Sequence, residues 1–260
     1  MPSQTVLITG ASGGIGYELA KLFARDHYNL VLVARSADKL AQVATELQAH
    51  NVTIKTIALD LAQLPAPKFL FDQLQVERIS VDFLINNAGF GAYGEFAEMP
   101  IDEILGQISL NIIALTELTR LFLPSMIARR SGRIMNVAST AGFQPGPLLA
   151  VYYATKAYVI SFSEAIANEL HDSGVTVTCF CPGATHTGFA SRAGTEKSRL
   201  FKAFGAMSAQ KVALDGYRGL MQGRTLAISG AHNWLVAEST RFAPRKWVTA
   251  VSRWVAEKTD

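Results

Sequence analysis

Residues 5–23 read TVLITGASGGIGYELAKLF, and the change of character at Gly10 decides the fold. The first five residues are apolar or β-branched and suit a buried strand. Further on, Leu19, Leu22 and Phe23 recur at the spacing of one helix face. Between the two, Gly10, Gly13, Gly14 and Gly16 allow a sharp turn and a close backbone approach. A helix that starts at such a turn offers free N–H groups and a partial positive charge, which together suit a phosphate. The spacing is G-x-x-x-G-x-G, not G-x-G-x-x-G. A glycine-rich strand-to-helix turn can also exist without a ligand, so the neighbouring segments must separate the two readings.

The same alternation runs along the chain. Short β-branched or apolar runs lie at 5–9, 29–34, 52–59, 81–86, 132–139, 175–181 and 225–229, with helix-length segments between them. Near-continuous apolar strands alternating with helices predict a parallel sheet covered on both faces. The expected fold class is α/β: a doubly wound, Rossmann-type, seven-stranded parallel sheet flanked by helices. No repeat, low-complexity tract or linker divides residues 1–260, so one domain is expected, with Pro65 and Pro67 in a loop.

Composition narrows the function classes. Hydrophobic residues make up 49% and charged residues 17%, with 20 glycines, a balance that builds a core and argues against disorder. The net charge of +3 is spread along the chain, and a nucleic-acid footprint needs clustered Lys and Arg. Cys179 and Cys181 share one strand face, are too close for an ordinary structural disulfide, and have no further Cys to complete a zinc set. No metal is expected, and a reducing compartment is. The chain does not open on a basic stretch followed by an apolar core, and no stretch reads as the roughly 18 apolar residues of a membrane span. The expectation is a soluble, cytoplasmic protein.

In open α/β sheets ligands bind beyond the carboxyl ends of the strands. The second run ends in VLVARSADKL, where Arg35 and Ser36 follow with no acid in the immediate position. A carboxylate there would hold the ribose 2′-hydroxyl of NAD, whereas an Arg accommodates the 2′-phosphate of NADP. Arg35 can also be read as an ordinary surface residue; after a glycine turn the pattern favours NADP(H) over NAD(H). Asp38 fits the first turn of the next helix, where an acid suits the dipole.

Residues 151–158, VYYATKAY, bring three tyrosines and a lysine to the start of an apolar helix. Residues four apart share a helix face, so spacing selects Tyr152 as the partner of Lys156, ahead of Tyr153 and Tyr158. A free phenol titrates near about 10; a neighbouring ammonium stabilises the phenolate and brings the group towards an acid/base range. Taken alone, Y-x-x-x-K is equally a packing pair.

With this pair in place the chain resembles the short-chain dehydrogenase/reductases over nearly its whole length. TGASGGIG at 9–16, DL at 60–61, NNAG at 86–89, Asn111 in the next long helix, NVAS ending at Ser139, YYATK ending at Lys156 and CPGATHT after the sixth run occur in the family's order. The resemblance implies Tyr152 as general acid or base. It implies that Lys156 lowers the Tyr152 pKa and binds the nicotinamide ribose, that Ser139 holds the substrate oxygen, and that Asn111 anchors a water linking Lys156 to solvent. It further implies a dinucleotide held by Gly10, Ser12, Gly13, Gly14, Ile15 and Gly16, with Arg35 and Ser36 after the second strand and Asp60 and Leu61 at the adenine. Asn86, Ala88 and Gly89 would follow the fourth strand, and Pro182, Gly183, Thr185 and Thr187 would flank the nicotinamide. Each residue has a plainer reading too: Ser139 can close a strand, Asn111 can kink its helix, and Asn86 and Asn87 can form a turn.

Residues 188–208 mix Phe189, Leu200, Phe201 and Phe204 with Arg192, Lys197, Arg199 and Lys202. They read as a lid over an apolar substrate or as a solvated face. Phe143, Leu148 and Leu149 precede Tyr152, so the expected substrate is a largely apolar ketone, aldehyde or secondary alcohol. Residues 230–260 form a helical extension in which Trp247, Val248, Val251, Trp254 and Val255 recur at helical spacing, with Arg245, Lys246, Arg253 and Lys258 available to a polar face. Such a stripe usually packs on its own core or on a second subunit; contact of 244–260 with a membrane is the lesser expectation. The leading expectation is an NADP(H)-dependent oxidoreductase, homo-oligomeric by resemblance. The alternative is a non-catalytic NADP-binding redox sensor or scaffold.

Overall fold

The computed structural model describes residues 4–196, 198–199 and 205–258. Strands β1 (Thr5–Thr9), β2 (Asn29–Ala34), β3 (Ile54–Ala58), β4 (Phe83–Asn86), β5 (Gly132–Val137) and β6 (Val175–Cys181) follow the expected runs. The short β7 (Thr185–His186) and β8 (Met207–Ser208) pair with each other, and β9 (Leu226–Ile228) rejoins the main sheet. That sheet has seven strands in the order β3-β2-β1-β4-β5-β6-β9, all parallel. Several runs lose a residue or two at their ends, because the apolar pattern continues past the last ladder pairing.

Alternation along each strand divides the core into two layers. Val6 and Ile8 of β1 join Leu30, Leu32, Phe83 and Met135 on one face, under helices α1 (Gly14–Arg25) and α2 (Ala37–Leu47). Leu7 joins Val31, Leu84, Ile134 and Val177 on the other face, under α3 (Ala66–Val76) and the helices that follow β4. Those are α4 (Ile101–Ile108), a π-helical turn at Ser109–Ala114, and α5 (Leu115–Ala128). Further along come α6 (Ala150–Glu169), α7 (Gly188–Ala193), α8 (Ala209–Met221), α9 (Ala231–Ser239) and α10 (Arg245–Ala256); α8 returns to the first face through Val212 and Leu220.

Two expectations need correction. Pro67 lies in the first turn of α3, not in a loop; a proline is tolerated there because that N–H has no helical partner to lose. Residues 101–128 form one helix long and apolar enough, by length and composition, to cross a membrane. Its π-helical turn joins α4 to α5, and its inner face packs Leu115, Leu118, Phe122 and Met126 against the protein core. The strand order reverses between β1 and β4, so the carboxyl ends of these two strands border the crevice where such folds bind ligands.

Candidate active site

The crevice is built from the turns after β1, β4, β5 and β6. Gly10 has φ +66, and a Cβ at Gly16 would lie 2.4 Å from the Gly10 carbonyl oxygen; both positions require glycine for the turn to close. Thr9 locks it from beneath. Its Oγ1 donates to the Ile85 carbonyl and accepts from the N–H groups of Asn87 and Ala88, while Asn87 Nδ2 donates to the Thr9 carbonyl at 2.9 Å. Sequence reading passed over Thr9 and treated Asn87 as a turn former; their signal was the residue just before each glycine-containing turn.

The start of α1 has no side-chain cap, and the space where a Gly13 side chain would stand is open. Free helix N–H groups facing open space are what a pyrophosphate needs. Thr187 approaches from the β6 side, so that a Cβ on Gly14 would come within 3.1 Å of it. The residues present therefore fit a dinucleotide, with Gly13, Gly14, Ile15 and Gly16 at its phosphates. Arg35 is exposed at the end of β2.

Other predicted contact residues also have local partners. The Ser36 Oγ caps α2 by accepting from the Lys39 N–H, Asp60 accepts from the Ala62 N–H, and Leu61 packs into the core. Thr185 donates to the Gly183 carbonyl, and Thr187 accepts from the Phe189 N–H at the start of α7. Asn86 turns into the sheet, where its Nδ2 donates to Thr119 Oγ1 at 3.0 Å and Asn136 Oδ1 at 2.9 Å. Its side chain braces β4 against β5 and does not face the crevice.

The four expected catalytic residues converge. Lys156 is buried, and its Nζ donates to the Val137 carbonyl at 2.7 Å and lies 5.7 Å from the centre of the Tyr152 ring. Ser139 is buried beyond β5 in extended backbone, with its Oγ accepting from the Ala141 N–H and facing the Tyr152 phenol. Asn111 sits in the π-helical turn. A Cβ on Gly89 would lie 3.0 Å from Asn111 Oδ1 and 3.4 Å from Lys156 Nζ, so the bare glycine lets all three groups meet.

Asn111 has a structural role that its sequence pattern did not show. Its Oδ1 accepts from the Phe90 N–H at 3.1 Å, and its Nδ2 donates to the Phe90 carbonyl at 2.9 Å and to Thr155 Oγ1 at 3.0 Å. Both N–H groups of its amide are taken by these partners, so the side chain braces the Phe90 turn against α6. Thr155 in turn donates to the Tyr152 carbonyl at 2.7 Å, which ties the kinked helix to the turn of α6 that carries the tyrosine. Sequence reading missed Thr155, although it stands next to Lys156.

Burial governs the protonation states. It pushes the Tyr152 phenol well above its ordinary range, with the Ser139 hydroxyl pulling the other way. Lys156 is pushed down to about 8 by the same desolvation. Desolvation is the leading cause for both groups, since a group taken out of water favours its neutral form. Tyr153 is buried as well, against Gln144 and Ser252, and its burial also raises its phenol.

The surroundings of Tyr152 are apolar. Its ring packs on Phe189 with centroids 5.0 Å apart, and Leu149, Tyr153 and Tyr93 complete the cluster. Beyond Gly91, whose Cβ would touch the Tyr152 ring, a cleft of about 440 Å³ opens between Tyr93, Met99, Pro100 and Arg192, with Glu95, Glu98 and Glu103 on its walls. Arg192 links α7 to α4 through Glu103 at 3.1 Å and lies over the Phe90 ring. Of the expected lid, Lys197, Leu200, Phe201, Lys202 and Phe204 lie outside the described residues.

An open phosphate cradle after β1 and a Ser–Tyr–Lys group at the ends of β5 and α6 define a dinucleotide-binding site of the oxidoreductase type. Comparison with known proteins agrees. Residues 4–198 match the short chain dehydrogenase family, and the chain belongs to that family. Among curated relatives it is 39% identical over 183 residues to the ketoacyl reductase HetN of Nostoc sp., covering 70% of this chain and 64% of that protein. It is also 39% identical over 178 residues to a very-long-chain 3-oxoacyl-CoA reductase of Phaeosphaeria nodorum, covering 66% and 52%. The chain thus spans between about half and two-thirds of these relatives' own length. Among solved structures, a short-chain dehydrogenase from Sphingobium yanoikuyae in complex with NADPH superposes with a TM-score of 0.83 at 32% identity, covering 92% of this chain and 94% of that one.

Proposed function

We propose that the chain is an NADPH-dependent reductase of a ketone with apolar flanks, a 3-oxoacyl thioester being the class best supported by the relatives' names. The observation that carries the reading is Tyr152: a phenol held protonated by burial, facing Ser139 and walled by Phe189, Leu149 and Tyr153. A protonated phenol is the form that donates to a carbonyl oxygen as negative charge develops there. Ser139 adds a second donor, since its hydroxyl can turn from Pro182 to the substrate oxygen. Lys156, charged below pH about 8, places a cation beside the phenolate that remains. Bound in the crevice, the dinucleotide supplies the hydride. A redox sensor would have no need of this acid, its counter-charge and its braces, so the non-catalytic alternative is set aside.

The test is NADPH consumption over 3-oxoacyl thioesters of increasing chain length, bulky ketones and small polar carbonyl compounds. kcat/KM is expected to rise with apolar chain length; turnover confined to small polar carbonyls would refute the substrate class. For the coenzyme, Arg35 is exposed where an adenosine 2′-phosphate would lie and makes no ion pair among the described residues. Arg35→Ala is expected to raise KM for NADPH by roughly 10- to 100-fold, the worth of one charge-assisted contact, and to leave KM for NADH unchanged. Equal effects on both coenzymes would remove the basis for NADP preference.

Ile101, Leu105, Ile113, Ile127 and Tyr158 leave an apolar strip exposed along α4, α5 and α6, which supports the expected homo-oligomer. The two buried free thiols, 3.8 Å apart, suit a reducing compartment and the proposed cytoplasmic location.

A further inference from the structure

The C-terminal helices reverse the usual relation between residue size and burial. The inward positions of α10 are Ser252 and Ala256, both buried, with Val248, Thr249 and Val255 half-buried. Its outward positions are Trp247, Ala250, Val251 and Trp254, with Trp247 72%, Val251 61% and Trp254 51% exposed. These residues recur at three- and four-residue spacing and form one stripe. The sequence left the cover of such a stripe open between the core, a second subunit and a membrane; in this chain it turns away from the core. Phe242 in the link is 86% exposed, and Trp234 and Leu235 are exposed on α9.

All three tryptophans of the chain are among these exposed residues. Arg199 stacks on one face of the Trp254 ring at 5.0 Å, yet all three rings stay largely exposed; large aromatic side chains left in this state mark a surface that meets something else, and Trp in particular suits the headgroup level of a bilayer.

Charge selects the partner. Residues 231–256 contain Arg241, Arg245, Lys246 and Arg253 against the single acid Glu238. Glu238 is paired with Arg241, and Arg253 reaches Glu95 and Glu257. Arg245 and Lys246, exposed in the first turn of α10, make no ion pair among the described residues. A second copy meeting this face through a two-fold axis would bring like charges together, whereas anionic phospholipid headgroups complement them. We propose that α9 and α10 dock the protein on the surface of an anionic lipid bilayer, with Trp247, Val251 and Trp254 entering the headgroup region and Arg245 and Lys246 at the phosphates.

The location gives such docking a consequence. Ser252 of α10 lies against Tyr153, next to Tyr152, and Arg253 reaches Glu95 on the wall of the cleft that opens beyond Gly91. The proposed surface therefore adjoins the mouth of the cleft. The docking itself does not depend on the catalytic reading and can be tested without turnover.

Because every tryptophan is exposed on α9 or α10, the tryptophan fluorescence of the full chain reports on these two helices. Titration with phosphatidylcholine vesicles containing phosphatidylglycerol is expected to shift the emission to the blue and to co-sediment the protein. Phosphatidylcholine alone should do neither, and added salt should release the bound protein. The R245Q/K246Q variant should bind anionic vesicles roughly 30-fold more weakly, from about fivefold per basic residue at such a surface. Trp247→Ser with Val251→Ser should remove the blue shift. Three results would overturn the proposal: no shift and no co-sedimentation with anionic vesicles; undiminished binding by R245Q/K246Q; or a solution dimer that Trp247→Ser dissociates, which would assign the face to a second copy.

Discussion

Replacing Tyr152 by Phe is expected to lower the rate of carbonyl reduction by about 10²–10⁴-fold, the range for a lost general acid, with NADPH affinity nearly unchanged. The ring stays, so its packing on Phe189 and the cluster with Leu149 and Tyr153 stays with it. Only the hydroxyl that faces Ser139 is removed. Phosphate binding rests on the β1 turn and the start of α1, remote from this change. The control is the neighbour: Tyr153→Phe removes a phenol that packs towards Gln144 and Ser252, and its kcat should stay close to that of the parent. Single-turnover mixing with NADPH bound in advance separates the two effects. Loss of turnover in Tyr153→Phe with Tyr152→Phe active would reverse the assignment and with it the orientation of α6.

The same pair of tyrosines shows what the sequence could tell. Four-residue spacing to Lys156 selected Tyr152 correctly as the residue beside the lysine, because helix geometry is local and follows from the helix alone. The sheet was equally legible: seven apolar runs, each broken by polar or glycine-rich segments, became seven parallel strands. The chemistry of the side chains was less so. Spacing showed that a cation would lie near a phenol, but not that both would be stripped of water, and desolvation proved the larger influence on each. Asn111 and Asn86 mark a similar limit. Both lie in recognisable patterns, yet what they bond to depends on Phe90, Thr155, Thr119 and Asn136, which are distant in sequence. Helix α10 marks the converse case, since its spacing was legible while its cover stayed open between core, second subunit and membrane. Periodicity shows that a face exists, and only packing shows which way it turns.

The pH profile of reduction is expected to fall as pH rises through about 8, and the group responsible is Lys156. Its pKa is lowered to about 8 by burial, so on the acid side it is an ammonium and on the alkaline side a neutral amine. Tyr152 remains protonated across this range because burial raises its phenol. What the site loses above pH 8 is therefore not the acid but the charge that stabilises the phenolate left behind after proton donation. Lys156→Met should reduce kcat by about 10²–10³-fold and abolish the limb, leaving a low, flat profile between pH 6 and about 9. Lys156→Arg, which stays charged throughout this range, should keep the profile flat above 8 whatever its absolute rate. Unfolding through this group cannot imitate the limb. A lysine whose folded pKa lies below its unfolded value costs stability while charged, and that cost is relieved as pH rises from about 8 towards the unfolded value near about 10.4. The sign of the stability change is thus opposite to that of the rate change, and a thermal melt at each pH distinguishes them. An alkaline limb that persists at about 8 in Lys156→Arg would identify Tyr152 as the titrating group and show that a bound dinucleotide, not burial, sets its pKa.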